Sequence, residues 1–128
     1  MRAPVRMPQS QSFNNRKSTF MLHLKDGVSV VGIKPELLDG LFSLAVLFHQ
    51  YELLLVVTAL TDGVHKEGSL HYRGYAADLR SRDVPTWQLG HLLDAIHQTL
   101  GLSWDVVQEV DHIHVEYDPH HDGGKGLS

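Results

Sequence analysis

His71 and Asp78 lie close together in the chain, with Gly74 between them at a point where the backbone must turn. Further on, Asp111-His112-Ile113-His114-Val115-Glu116 brings more imidazoles and carboxylates. Three such ligands from two separated segments can hold zinc and leave a fourth position open for water. That is the wiring of a catalytic metal site and not of a closed structural one. Two neutral imidazoles and a carboxylate suit zinc, and the lack of thiolates argues against iron–sulfur or copper(I). The bland reading of an isolated His-x-His strand is a solvated, His-rich face. A second His/Asp pair on a neighbouring expected strand turns the balance toward chemistry.

Hydrophobic spacing shows which elements must position these groups. Residues 20–24 predict a first short strand, and 28–31 predict a second that pairs back across a turn at Asp26-Gly27. Pro35 suits a helix start, with Glu36 in the first turn. Leu37, Leu38, Leu41, Leu44, Ala45, Leu47 and Phe48 then keep helical spacing to about His49, and Gly40 marks a modest cost or a close-packing point. The apolar run 53–58 predicts a strand buried on both faces. Residues 75–79 predict a second central strand, with Ala76 and Asp78 on one face and Tyr75, Ala77 and Leu79 on the other.

Asp83 is the expected N-cap of a second helix, with Pro85 just inside it. Its apolar stripe is Trp87, Leu89, Leu92, Leu93, Ile96 and Leu100, and Gly101 ends it. Trp104 to Gln108 and His112 to Tyr117 predict two antiparallel strands around a tight turn at 109–111. Alternation sends Ile113, Val115 and Tyr117 to one face of the last strand, and His112, His114 and Glu116 to the other. The expected fold is α+β: a small, mainly antiparallel sheet with two principal helices and the zinc site on a sheet face. A polar arm over 1–18, one domain over 19–119 and a disordered glycine-rich tail over 120–128 complete the reading.

The pattern Ser69-x-His71-x-x-Gly74-x-Ala76-x-Asp78, followed by Asp111-His112-x-His114, resembles the zinc D-Ala-D-Ala carboxypeptidase superfamily. That group includes peptidoglycan-cleaving carboxypeptidases, phage endolysins and, by fold, the hedgehog signalling domain. The resemblance covers roughly residues 50–119, and Asp62-Gly63-x-His65 ahead of the first motif looks most like small phage or prophage members. It implies His71, Asp78 and His114 as ligands to one zinc ion per chain. It also implies Asp111 as the general base that activates water, and His112 as the group that steadies the oxyanion. Ser69 falls near the metal in this scheme. His65, Asp62 and Arg73 are further candidates for substrate or loop contacts. One departure stands out: the segment 58–62 lacks the arginine with which many members hold a substrate carboxylate. Lys66 and Arg73 are the nearest cations in sequence. A cut inside the peptide is therefore favoured over release of a terminal residue.

Composition narrows the alternatives. At 128 residues, 42% apolar and 20% charged, the chain is an ordinary globular length and mix. A net charge of −4 does not suggest a nucleic-acid partner. There are no cysteines, so disulfides and thiol catalysis drop out, and ten histidines direct attention to metal or acid–base chemistry. The longest apolar-rich region, 37–57, is broken by Asp39, His49, Gln50 and Glu52, so no membrane insertion is expected. The N-terminus lacks the apolar core of a secretory signal. The expectation is a monomeric zinc peptidase acting on bacterial peptidoglycan stem peptides. As a phage lysis enzyme it would accumulate in the cytoplasm and reach the wall through a separate permeabilising protein. The alternative is a non-catalytic binding or structural domain that keeps the fold and the metal.

Overall fold

The chain crosses early from a short edge strand into a helix because Pro35 fixes a helical φ and has no N–H to leave unpaired in the first turn. In the computed structural model, which describes residues 21–62 and 70–119, that helix is α1 (Pro35–Gln50). It follows β1 (Leu22–Leu24) and precedes β2 (Leu55–Ala59) and β3 (Ala76–Arg80). Then come α2 (Thr86–Leu100), β4 (Trp104–Gln108) and β5 (His112–Tyr117). The sheet order is β1-β2-β3-β5-β4, with β1–β2 parallel and the other pairings antiparallel. This is the expected small α+β fold. The arm 1–18, Phe20, the loop residues His65, Lys66 and Ser69, and the tail 120–128 lie outside the described residues.

Both helices contribute to one core on a single face of the sheet. Leu37, Leu41, Leu44 and Phe48 of α1 and Leu92 and Ile96 of α2 are buried against Leu55, Val57, Ala77, Leu79, Ile113 and Val115. Fully burying each large aliphatic or aromatic side chain stabilises by roughly 1.5–3 kcal/mol. Strand alternation then leaves Asp78, His112, His114 and Glu116 on the opposite face. Gly40 is the close-packing point, because the Trp104 ring sits where its side chain would be.

Three expectations need correction. Residues 28–31 form no strand, and β1 pairs in parallel with β2, Leu22 opposite Leu55 and Leu24 opposite Val57. The turn at Asp26-Gly27 does form, with the Val28 N–H donating to the Lys25 carbonyl at 3.1 Å. Beyond it, side chains claim the backbone that a hairpin would have used. The Ser29 N–H donates to Asp62 Oδ1 at 3.1 Å, and the Thr61 hydroxyl donates to the carbonyls of Ser29 at 3.3 Å and Val31 at 2.9 Å. With that hairpin gone, α1 serves as the crossover that a parallel pair requires.

The second correction is at the start of α2. Pro85 has ψ 141, outside the helix, and stands at the N-cap with no side-chain cap bond, so Asp83 is not the cap. Third, Trp87 is 76% exposed and not part of the buried stripe. Leu89, Leu92, Leu93, Ile96 and Leu100 keep the helical spacing, whereas Trp87 is two residues off it and points around the helix.

Gly74 ties the two connections together. Its φ is +85, its carbonyl accepts the Lys34 N–H at 3.0 Å, and a Cβ there would collide with the Gly32 backbone. Gly74→Ala combines left-handed strain with a backbone clash and should destabilise by about 2–4 kcal/mol. A urea titration reading the midpoint at unchanged slope checks this, and an unshifted midpoint would show that the contact carries no strain.

Candidate metal centre

Three segments converge on one point. β3 and β5 set Asp78 directly opposite His114, so their side chains rise side by side from the sheet. His71 arrives from the turn before β3, which is closed by the Gly74 N–H to the His71 carbonyl and the Tyr75 N–H to the Leu70 carbonyl. Beside Asp78, β2 carries an irregular register between Val57 and Ala59, and the Thr58 hydroxyl donates to the Asp78 carbonyl at 3.3 Å. Such bulges re-aim side chains next to sites.

The ligand atoms form a compact triangle. His71 Nε2 lies 3.2 Å from Asp78 Oδ1 and 3.3 Å from His114 Nδ1, and His114 Nδ1 lies 2.9 Å from Asp78 Oδ1. Ligands about 2.0–2.1 Å from a tetrahedral zinc stand about 3.3 Å apart, so the triangle fits one face of that tetrahedron. The donor set of two imidazoles and a carboxylate fits the same ion.

The far side of each imidazole is also engaged. His71, only 3% exposed, donates Nδ1–H to the Leu60 carbonyl at 2.8 Å, which leaves the lone pair of the neutral ring at Nε2. Asp62 holds that carbonyl in place: its Oδ1 accepts the Leu60 N–H at 2.9 Å as well as the Ser29 N–H. His114 has Glu116 Oε1 at 2.7 Å from Nε2. Carbonyl or carboxylate partners of this kind fix ring orientation and tautomer in metal sites.

The charges follow from these contacts. Burial pushes the Asp78 carboxyl up, but hydrogen bonds from His114 and His71 outweigh it and hold Asp78 well below the usual carboxylate range. The hydrogen bond to Asp78, then that to Glu116, raises His114 to about 9. A metal held at this point would displace the proton between His114 Nδ1 and Asp78.

His112 and Asp111 stand at the edge of the cluster. The side chain of Asp111 is 84% exposed, in the turn closed by the Glu109 N–H to the His112 carbonyl. Its Oδ1 is 2.7 Å from His112 Nδ1, and this hydrogen bond lowers its pKa. The other nitrogen of His112 lies 3.7 Å from Asp78 Oδ1, so the ring spans from Asp111 to the ligand cluster without joining the triangle.

Of the sequence candidates, His71, Asp78 and His114 are brought together, with His112 and Asp111 beside them. Asp62 acts on the loop through Leu60 and Ser29. Arg73 is elsewhere, in a separate pocket of about 150 Å³ with Tyr75, Tyr117 and Asp118. Ser69 and His65 lie outside the described residues. Two partners escaped the sequence reading, Glu116 and the Leu60 carbonyl. Glu116 did carry a signal, because alternation places it on the face of His114. A main-chain acceptor carries none.

No protein-family model matches the chain, and no curated protein matches it closely enough to mark a relative.

Glu116→Ala should leave the fold intact and weaken metal binding by about 10–100-fold, the usual effect of removing a ligand's outer partner. Competition for zinc against a chromophoric chelator measures it. Unchanged affinity would mean that Glu116 does not orient His114.

Proposed function

We propose that this protein is a zinc-dependent peptidase that hydrolyses a peptide bond in bacterial peptidoglycan stem peptides, in the manner of small phage or prophage lysis enzymes. The observation that carries the reading is the three-atom triangle of His71, Asp78 and His114, with the Asp111–His112 pair standing beside it. The likeness of the Ser69–Asp78 and Asp111–His114 motifs to peptidoglycan-cleaving zinc peptidases supplies the substrate class.

His71 Nε2, Asp78 Oδ1 and His114 Nδ1 would hold the metal. A zinc ion there supplies the Lewis acidity that makes water a nucleophile near neutral pH. Asp111 accepts the proton of the attacking water and returns it to the departing amine. It stands exposed at the turn and lines a groove together with Asp78 and His112. His112 donates Nδ1–H to Asp111 and turns Nε2 toward the cluster; in its imidazolium form Nε2 also carries an N–H, which aimed at the developing oxyanion contributes roughly 3 kcal/mol to lowering the barrier. Where along the stem the cut falls is decided by what the adjoining groove binds.

Two variants and one digestion test this. The purified protein should carry close to one zinc per chain by elemental analysis, and His114→Ala should lose it; full metal content in that variant would remove His114 from the ligand set. Asp111→Asn should keep fold and zinc but lose a factor of about 10²–10⁴ in turnover, because an amide cannot accept the proton. Wild-type turnover there would pass the role to Glu109 or Glu116. Mass spectrometry of digested peptidoglycan should reveal cleaved stem peptides. Bound zinc with an untouched wall would leave a non-catalytic metal-binding domain as the better reading.

A further inference from the structure

We infer that Arg80, flanked by Lys25 and Arg82, forms an anion subsite beside the ligand cluster and selects peptides that carry a carboxylate next to the bond attacked. This rests on the peptidase reading and names its substrate class. Three observations lead to it.

Arg80 follows Asp78 by two residues on β3, so both belong to the same sheet face, about 7 Å apart along the strand. Across the ladder Arg80 pairs with His112, as Asp78 does with His114. A guanidinium thus stands one strand step beyond the ligand carboxylate.

A groove of about 460 Å³ is lined by Asp78, Asp111 and His112 together with Lys25, Arg80 and Arg82. Its two carboxylates are committed, Asp78 to His71 and His114 and Asp111 to His112. Among the described residues, no ion pair engages Lys25, Arg80 or Arg82.

Arg80 is half-buried, and no ion pair engages it among the described residues. Partial desolvation of a charge is unfavourable unless a partner repays it, and with both carboxylates engaged by imidazoles the three cations of the groove are the charges left to attract an anion. The planar guanidinium matches a carboxylate with two parallel hydrogen bonds, which a lysine cannot do. Residues 58 and 59 also line the groove and contribute no charge, so the cations of its other walls set its preference.

The carboxylate has two possible sources: the free end of a peptide, which implies removal of a terminal residue, or an acidic side chain, which implies a cut within the chain. Three probes separate them: an N-acetylated dipeptide with a free terminal carboxylate, the same dipeptide as its C-terminal amide, and an amidated dipeptide bearing a glutamate side chain. Calorimetry on the zinc-loaded protein should show one of the two acids binding at least about tenfold tighter than the neutral amide. Arg80→Gln should abolish that preference while amide affinity and zinc content stay the same. Arg80→Lys should keep part of it, and raising the salt should weaken it in the wild type.

No preference for either acid overturns the subsite, as does a preference that persists in Arg80→Gln and in the Lys25→Met/Arg80→Gln/Arg82→Gln variant. The two readings fail separately. An Arg80-dependent preference without hydrolysis of any peptide removes the peptidase and leaves the subsite standing. Hydrolysis that ignores Arg80 removes the subsite alone.

Discussion

The pairing of Asp78 with His114 across β3 and β5 is the contact on which the rest of the molecule turns. It fixes the register of the two central strands, because a slip by one residue would send Asp78 into the apolar layer and bring Leu79 out of it. The helices enforce the same register from the other face, where Leu79 lies opposite Ile113 and Ala77 opposite Val115. Core packing and the candidate cluster are therefore two readings of a single alternation. Each constrains the other, and neither can be changed alone.

Much of this was legible in the chain. Pro35 and the apolar spacing after it placed α1, and the alternation in β3 and β5 placed Asp78, His114 and His112 on one face. What was not legible depended on side chains that reach across long loops. Asp62 binds the Ser29 N–H and Thr61 binds the Ser29 and Val31 carbonyls, which removes an expected hairpin and leaves β1 to pair in parallel with β2. Nothing in residues 28–31 announces a competitor some thirty positions away. Trp87 was misplaced for a simpler reason: a large apolar residue in a helix was counted into the stripe although its spacing excluded it.

Cations offer the sharper contrast. Arg73 is near His71 in sequence, yet the turn around Gly74 carries it to a different pocket beside Tyr75 and Tyr117. Arg80 drew no attention because it sits at the end of a strand, where a solvated charge is ordinary. Only the ladder, which sets it opposite His112, and the groove running past both give it a neighbour worth binding. Proximity along a chain predicts proximity in space only within one element, and a tight turn is where that rule fails first.

The acceptor that orients His71 is the main-chain oxygen of Leu60, not a side chain. A carbonyl is present whatever residue occupies the position, so sequence drift at 60 is limited by the fit of its side chain in the core and not by the imidazole it serves. The orientation of His71 is thus insulated from substitution at its own partner. It is vulnerable instead at one remove, through Asp62, which holds the peptide path in place. The residue to watch as such a sequence diverges is Asp62, whose hold on the imidazole runs through the backbone.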